Sequence, residues 1–82
     1  MRIPHELPEE FPDKAKFIKQ LSENNYEFRK LASKYDEVNE QIYRIESDDE
    51  PTTDEVLETL KKRRLKLKDD IAATLMKLEG RT

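Results

Sequence analysis

Apolar side chains recur at helical spacing in two stretches of this chain. In the first stretch they fall three or four positions apart, and no proline or glycine lies between residues 13 and 50. Because Asp13 directly follows Pro12 and is a good N-cap residue, the pattern predicts one helix over about residues 13–46, roughly 50 Å long. The apolar positions are Phe17, Ile18, Leu21, Phe28, Leu31, Ala32, Tyr35, Val38, Ile42 and Ile45.

The second stretch begins after Pro51 and ends before Gly80. Thr52 and Glu55 are spaced as a capping box, and glycine commonly ends a helix, so the pattern predicts a helix over about residues 53–79. Its stripe is Leu57, Leu60, Arg64, Leu67, Ile71, Leu75 and Leu78.

The short acidic turn at residues 47–52 makes the two helices antiparallel neighbours. If the turn centres near Asp49 and Glu50, apolar residues face each other in almost every layer, as expected for coiled-coil-like packing. The facing groups are Ile42 with Leu57, Val38 with Leu60 or Lys61, Leu31 and Ala32 with Leu67, Phe28 with Ile71, and Leu21 with Leu78; the exception is Tyr35 with Arg64.

Two positions disturb the first stripe. Asn25 is polar, and we interpret it as a residue of the seam that fixes the register of the two helices; a contact with a ligand or partner is the alternative. The step from Phe28 to Leu31 is a second consecutive step of three, which shifts the register locally.

Residues 1–12 contain three prolines and predict an irregular N-terminal arm. Ile3, Leu7 and Phe11 are spaced by four, so the arm could fold back onto a helix. His5 lies near several glutamates, but one histidine without a second histidine or a cysteine is a poor metal site.

The fold class is therefore all-α, an antiparallel two-helix hairpin. Two helices alone do not enclose a core, and Leu65, Ala72 and Met76 fall off the main seam as a second apolar strip. The usual solution is the pairing of two hairpins, so we expect a homodimer that forms a four-helix bundle.

Charge changes this picture in one place. The net charge is only −3, so the whole chain is not a bulk polyanion binder, but the segment from Leu60 to Asp69 holds six basic residues in ten positions. We interpret it as a solvated face neutralised by i,i+4 pairs of Glu58 with Lys62 and of Lys66 with Asp70. Contact with nucleic acid is the alternative. The candidate interaction surface comprises Lys61, Lys62, Arg63, Leu65, Lys66, Lys68, Ala72 and Met76.

Catalytic chemistry is hard to place on this chain. With no cysteine and a single histidine, the sequence predicts no enzyme, no cofactor and no metal ion. The acidic turn lacks the ligand pattern of a calcium loop. No apolar run has transmembrane length and no signal peptide is recognisable, so we expect a cytoplasmic protein.

The segment from Leu60 to Asp69 has the form Leu-Lys-Lys-x-Arg-Leu-x-Leu-Lys-Asp, with Arg63 at the first variable position. Together with Phe11-Pro12 and the first stripe, it resembles the YdcH-like family of small bacterial proteins of unknown function, over nearly the whole chain. The resemblance implies an antiparallel helical hairpin and no established activity. The sequence thus favours a non-enzymatic interaction or adaptor protein that self-associates, with a nucleic-acid-binding accessory protein as the alternative.

Overall fold

The computed structural model describes residues 3–47 and 51–80, and within these ranges the ordered elements are all helical. In chain order they are α1 (Leu7–Glu10), a 3₁₀ turn (Pro12–Lys14), α2 (Ala15–Asn24), α3 (Tyr26–Glu46) and α4 (Asp54–Glu79). The predicted all-α class is confirmed. The centre of the predicted acidic turn, residues 48–50, lies outside the described residues.

Helices α3 and α4 form the predicted hairpin and make the most extensive helix pair of the molecule. Two polar contacts mark their register: Arg64 Nη1 lies 3.0 Å from Asn39 Oδ1, and Lys61 Nζ lies 3.3 Å from Glu46 Oε2. The seam between them is apolar. The buried apolar residues are Leu7, Ile18, Phe28, Ala32, Tyr35, Val38, Ile42, Leu67, Ile71 and Leu75, and all except Leu7 belong to the two predicted stripes.

The predicted continuous helix over residues 13–46 was wrong at Asn25. That residue is extended, with φ −124° and ψ 109°, and its side-chain oxygen accepts a hydrogen bond from Phe28 N–H at 3.0 Å. Asparagine competes well for such backbone groups, so Asn25 caps a new helix and does not sit in the seam as a register residue. The break lies at the start of the two consecutive steps of three, from Asn25 to Phe28 and from Phe28 to Leu31, that disturb the stripe.

The predicted helix starts also differ slightly. Helix α2 begins at Ala15 without a side-chain cap, because the prolines of the arm continue into a 3₁₀ turn that includes Asp13. Helix α4 is capped by Thr53, whose Oγ1 accepts from Val56 N–H at 3.2 Å, one residue later than the predicted capping box.

The arm and α2 fold back onto the hairpin. Leu7 is only 4% exposed, and Phe11 and Phe17 pack against the same core. The fold-back shortens the molecule relative to a straight first helix, and its longest dimension is 45 Å, with 25 Å and 21 Å across. The arm therefore belongs to the packed structure and extends the core beyond the two helices of the hairpin.

Candidate functional site

Helix geometry divides the basic segment of α4 into two faces. Lys61, Arg64 and Lys68 are half-buried and turn towards the hairpin and the arm, where Lys68 Nζ lies 3.3 Å from Glu10 Oε1. Lys62, Arg63 and Lys66 are exposed. Of the six cations, half are therefore used inside the molecule and half are presented to solvent.

The outward cations are not neutralised as expected. The pairs of Glu58 with Lys62 and of Lys66 with Asp70, all of them described residues, form no salt bridge in the structure. Arg63 likewise has no ion-pair partner among the residues that the structure describes. This leaves three positive charges on less than two turns of one helix face.

An apolar strip accompanies these charges. Leu65 is 60% exposed and Met76 is 70% exposed, with Ala72 half-buried between them. Eleven residues are close to three helical turns, so Leu65 and Met76 lie along one line of α4. The strip has the composition and position expected from the sequence. We call the exposed surface formed by Lys62, Arg63, Leu65, Lys66, Ala72 and Met76 the outer face of α4.

The inner face of α4 meets a cluster of polar groups that holds the arm. Asn39 is only 3% exposed; its Nδ2 donates to the Pro4 carbonyl at 2.9 Å, while its Oδ1 accepts from Arg64. Tyr35 Oη donates to the His5 carbonyl at 2.6 Å. His5 has a φ of 63°, which is uncommon for a residue other than glycine. The two hydrogen bonds to consecutive carbonyls hold the chain in this turn.

Charged groups close this cluster towards solvent. Glu10 Oε1 accepts from Lys68 and lies 3.5 Å from His5 Nδ1, and the Lys68 ammonium lies 6.0 Å from the centre of the Phe11 ring. The cavity among these groups is about 160 Å³, below the 300–1,000 Å³ typical of small-molecule sites. The cluster is therefore suited to fastening the arm and not to enclosing a substrate.

Burial changes the ionisation of Tyr35. Its side chain is fully buried, and desolvation raises its pKa to about 12, with the Glu10 carboxylate adding to the effect and Arg64 opposing it. The phenol is thus a neutral hydrogen-bond donor over the whole ordinary pH range, which is the state that the His5 carbonyl requires.

A larger cleft of about 590 Å³ lies between the arm, α2 and α3. Leu7, Ile18 and Ala32 are among its apolar lining residues, and Asp36 and Glu6 are among its acidic ones. Partial burial raises the pKa of Asp36, and the nearby Glu6 carboxylate raises it further. The sequence did not reveal this cleft, because the cleft exists only when α2 folds back at Asn25.

Metal and membrane sites have no support in the described parts of the chain. Residues 3–47 and 51–80 contain no group of three or more histidine, cysteine, aspartate or glutamate side chains placed to hold a metal ion. No helix in these ranges is both long enough and apolar enough to cross a membrane.

Comparison with protein families finds a match. The family described as a protein of unknown function (DUF465) matches residues 28–75, which is more than half of the chain. The chain belongs to this family. This confirms the resemblance to the YdcH-like proteins. Comparison with curated proteins finds no significant match, and comparison with solved structures finds none either.

The region that matches DUF465 corresponds to one structural unit of the molecule. It begins at Phe28 in the first turns of α3 and ends at Leu75 near the end of α4, so it coincides with the hairpin. Both faces of the basic segment lie inside it. The arm and α2, which supply Glu10 and the carbonyls held by Tyr35 and Asn39, lie outside it.

Proposed function

We propose that this DUF465 protein is a non-enzymatic interaction protein that self-associates through the outer face of α4. The observation that carries the proposal is the exposure of Leu65 and Met76 on one line of a helix, with the small Ala72 between them. Exposed apolar side chains arranged in a strip are typical of contact surfaces, whereas isolated ones are normal on any protein.

A second copy of the chain is the partner that best fits this surface. Parallel pairing of two α4 helices would place Lys62 and Lys66 beside the same residues of the partner, and like charges repel. Antiparallel pairing about a two-fold axis near residues 70 and 71 separates these charges and brings Leu65 against Met76 of the partner subunit. The same contact then forms twice, as in any symmetric dimer, and Ala72 permits close approach of the two helices.

The energy of this contact is modest. Complete burial of one leucine side chain contributes about 1.5–3 kcal/mol, and association opposes it with lost translational and rotational freedom. We therefore expect a dimer whose population depends on protein concentration. Pairing of two hairpins in this way would bring four helices together, with the two α4 helices in the centre and one α3 helix on each side; this differs from the bundle around one shared core that the sequence led us to expect.

Leu65→Glu tests the surface. We expect the dissociation constant to rise at least about tenfold, because the change removes apolar contact and places a charge where desolvation opposes it. The measurement is sedimentation equilibrium over a range of protein concentrations, with circular dichroism to show that the helices remain.

Val56→Glu is the matched control. Val56 is 47% exposed on the same helix, nine residues before Leu65 and therefore about half a turn away around the axis, so this change should leave the dissociation constant as it is. A wild-type chain that stays monomeric at every concentration would contradict self-association through this face.

Absence of catalytic activity is part of the same proposal. It is supported by the side chains available: the chain has no cysteine and one histidine, and His5 lies beside Glu10 in the cluster that fastens the arm.

We also propose a cytoplasmic location, which the highly charged sequence favours and which fractionation of the host cell would test.

A nucleic-acid contact is a second candidate, supported by the three outward cations without ion-pair partners. Binding through three phosphate contacts would give a slope of about −3 in a plot of log affinity against log salt concentration. Leu65 lies among these cations, and the outer face of α4 contains no aromatic residue on which a base could stack. These features make the candidate weaker than self-association.

Changing both Lys62 and Lys66 to glutamine separates the two candidates. If the cations are only a solvated face, stability should move by well under ~1 kcal/mol and no binding of generic RNA or DNA should be lost. If they contact phosphates, the salt slope should fall by about two. The control changes Lys30 and Lys34 to glutamine, an exposed pair with the same spacing on α3. Equal loss in both double variants would indicate a general charge effect.

A further inference from the structure

A single residue, Asn25, separates α2 from α3. No proline or glycine lies near it, and the spacing of Ile18, Leu21, Asn25 and Phe28 is that of one continuous helix. The segment is nevertheless bent, because Asn25 is extended and caps α3. The local sequence is therefore compatible with two conformations, one bent at Asn25 and one straight.

The local interactions of the two conformations differ little. In the bent form the Asn25 side chain satisfies Phe28 N–H. In a straight helix the N–H groups in the first turn of α3 would instead bond the carbonyl groups at the end of α2, as in any helix interior. The bend thus depends on the contacts that the arm and α2 make elsewhere.

Those contacts all join the segment before the bend to the hairpin after it. They are Lys14 Nζ to Glu79 Oε1 at 2.6 Å, Glu10 to Lys68, and the two hydrogen bonds to the Pro4 and His5 carbonyls. None of them requires that both partners belong to the same chain. A second hairpin offers the same partners.

Two buried residues of the cleft between α2 and α3 are placed symmetrically about the bend. Ile18 and Ala32 lie seven residues before and seven residues after Asn25, both are buried, and both line the cleft between the two helices. If two straight helices packed antiparallel with a two-fold axis near Asn25, residue 18 of one chain would lie opposite residue 32 of the other. The straight pair would therefore bring together Ile18 and Ala32, which line the same cleft in the bent chain.

We propose that two copies of this protein exchange their arms and α2 helices by straightening at Asn25. The partner is a second copy, and the surface that receives its arm is the one formed by Tyr35, Asn39, Arg64 and Lys68. Exchange of an identical element between subunits gives a symmetric dimer without new contact chemistry. The surface that receives the arm lies on the inner face of α4. Evidence for or against this exchange therefore does not decide whether the dimer proposed above forms.

Two neighbouring substitutions should shift the exchange in opposite directions. Asn25→Ala removes the cap and favours a straight helix, so the dissociation constant of the exchanged dimer should fall at least about tenfold, since each dimer straightens two bends. Tyr26→Pro should abolish the exchanged dimer. Proline is well tolerated in the first turn of α3, prefers an extended residue before it and cannot lie inside a straight helix. Tyr26→Ala controls for loss of the aromatic ring. The dissociation constant of its exchanged dimer should equal that of the wild type.

Cross-linking identifies the exchanged contact directly, because the chain has no cysteine of its own. Glu10→Cys chains and Lys68→Cys chains, both also carrying Met76→Glu to suppress pairing of outer faces, are refolded together and treated with a short bismaleimide. We expect a covalent dimer in which residue 10 of one chain is joined to residue 68 of the other. It should increase with Asn25→Ala and disappear with Tyr26→Pro.

A chain that carries both cysteines reports the closed form as a bridge within one molecule. The proposal is overturned if residues 10 and 68 are bridged only within single chains at all protein concentrations. It is also overturned if the bridge between chains forms equally well with Tyr26→Pro, because that dimer would not require a straight helix. Because every cross-linked chain carries Met76→Glu, pairing of outer faces does not contribute to the cross-link, and the two proposals are tested separately.

Discussion

Replacing Phe28 with alanine is expected to lower the free energy of unfolding by about 3–5 kcal/mol. Phe28 is 1% exposed and lies in the seam of the hairpin, near the position where α3 begins. Truncation removes buried apolar surface and leaves a cavity that rigid neighbouring helices fill only partly. A domain of this size has a total stability of roughly 4–12 kcal/mol, so the variant should be largely destabilised at ordinary temperature.

Urea unfolding followed by circular dichroism measures this effect. Tyr26→Ala is the matched control, because it truncates an aromatic residue two positions earlier that is 62% exposed; its cost should be below about 1 kcal/mol. A loss of less than about 1 kcal/mol for Phe28→Ala would contradict the packing of α3 against α4 described above.

Alkaline pH should destabilise the protein through Tyr35. The pKa of this phenol is about 12 in the folded chain and 10.0 in the reference state, so the folded state holds the proton more tightly. The corresponding stabilisation is complete below about pH 10 and is lost as the pH rises through about 12, with a total on the order of 3 kcal/mol. Ionisation would also remove the donor to the His5 carbonyl and release the arm.

Tyr35→Phe isolates this contribution. At about pH 8 the variant should be less stable than the wild type by roughly 1 kcal/mol, because one hydrogen bond is missing. Between about pH 9 and pH 12 the wild type should lose stability more steeply than the variant, since phenylalanine has no proton to release. Unfolding free energies of both chains over this range provide the measurement. Parallel pH curves for the two chains would show that Tyr35 is not held neutral by its surroundings.

Much of the hairpin could be predicted because helical periodicity is a local property of the chain. The stripes that include Phe28, Tyr35 and Ile71 predicted which side chains meet in the seam, and these three are among the most buried residues. The strip of Leu65 and Met76 could be predicted for the same reason, since residues off the main seam of a two-helix hairpin have no second layer to cover them. The role of Asn39 was missed, because no pattern in the sequence shows that Pro4 lies near it.

The sequence by itself determined the helical class, the antiparallel hairpin, most of its core and its membership of DUF465. Tertiary structure decided the bend at Asn25, the division of the basic residues into two faces, and the position of the arm. The physical reason is the same in all three cases. Locally, Phe28 N–H is satisfied either by a side chain or by a helix carbonyl, and the cations of α4 can face either solvent or a partner. Only the packing of residues distant in sequence, such as Leu7 in the core and Glu10 beside Lys68, selects between such alternatives of similar local energy.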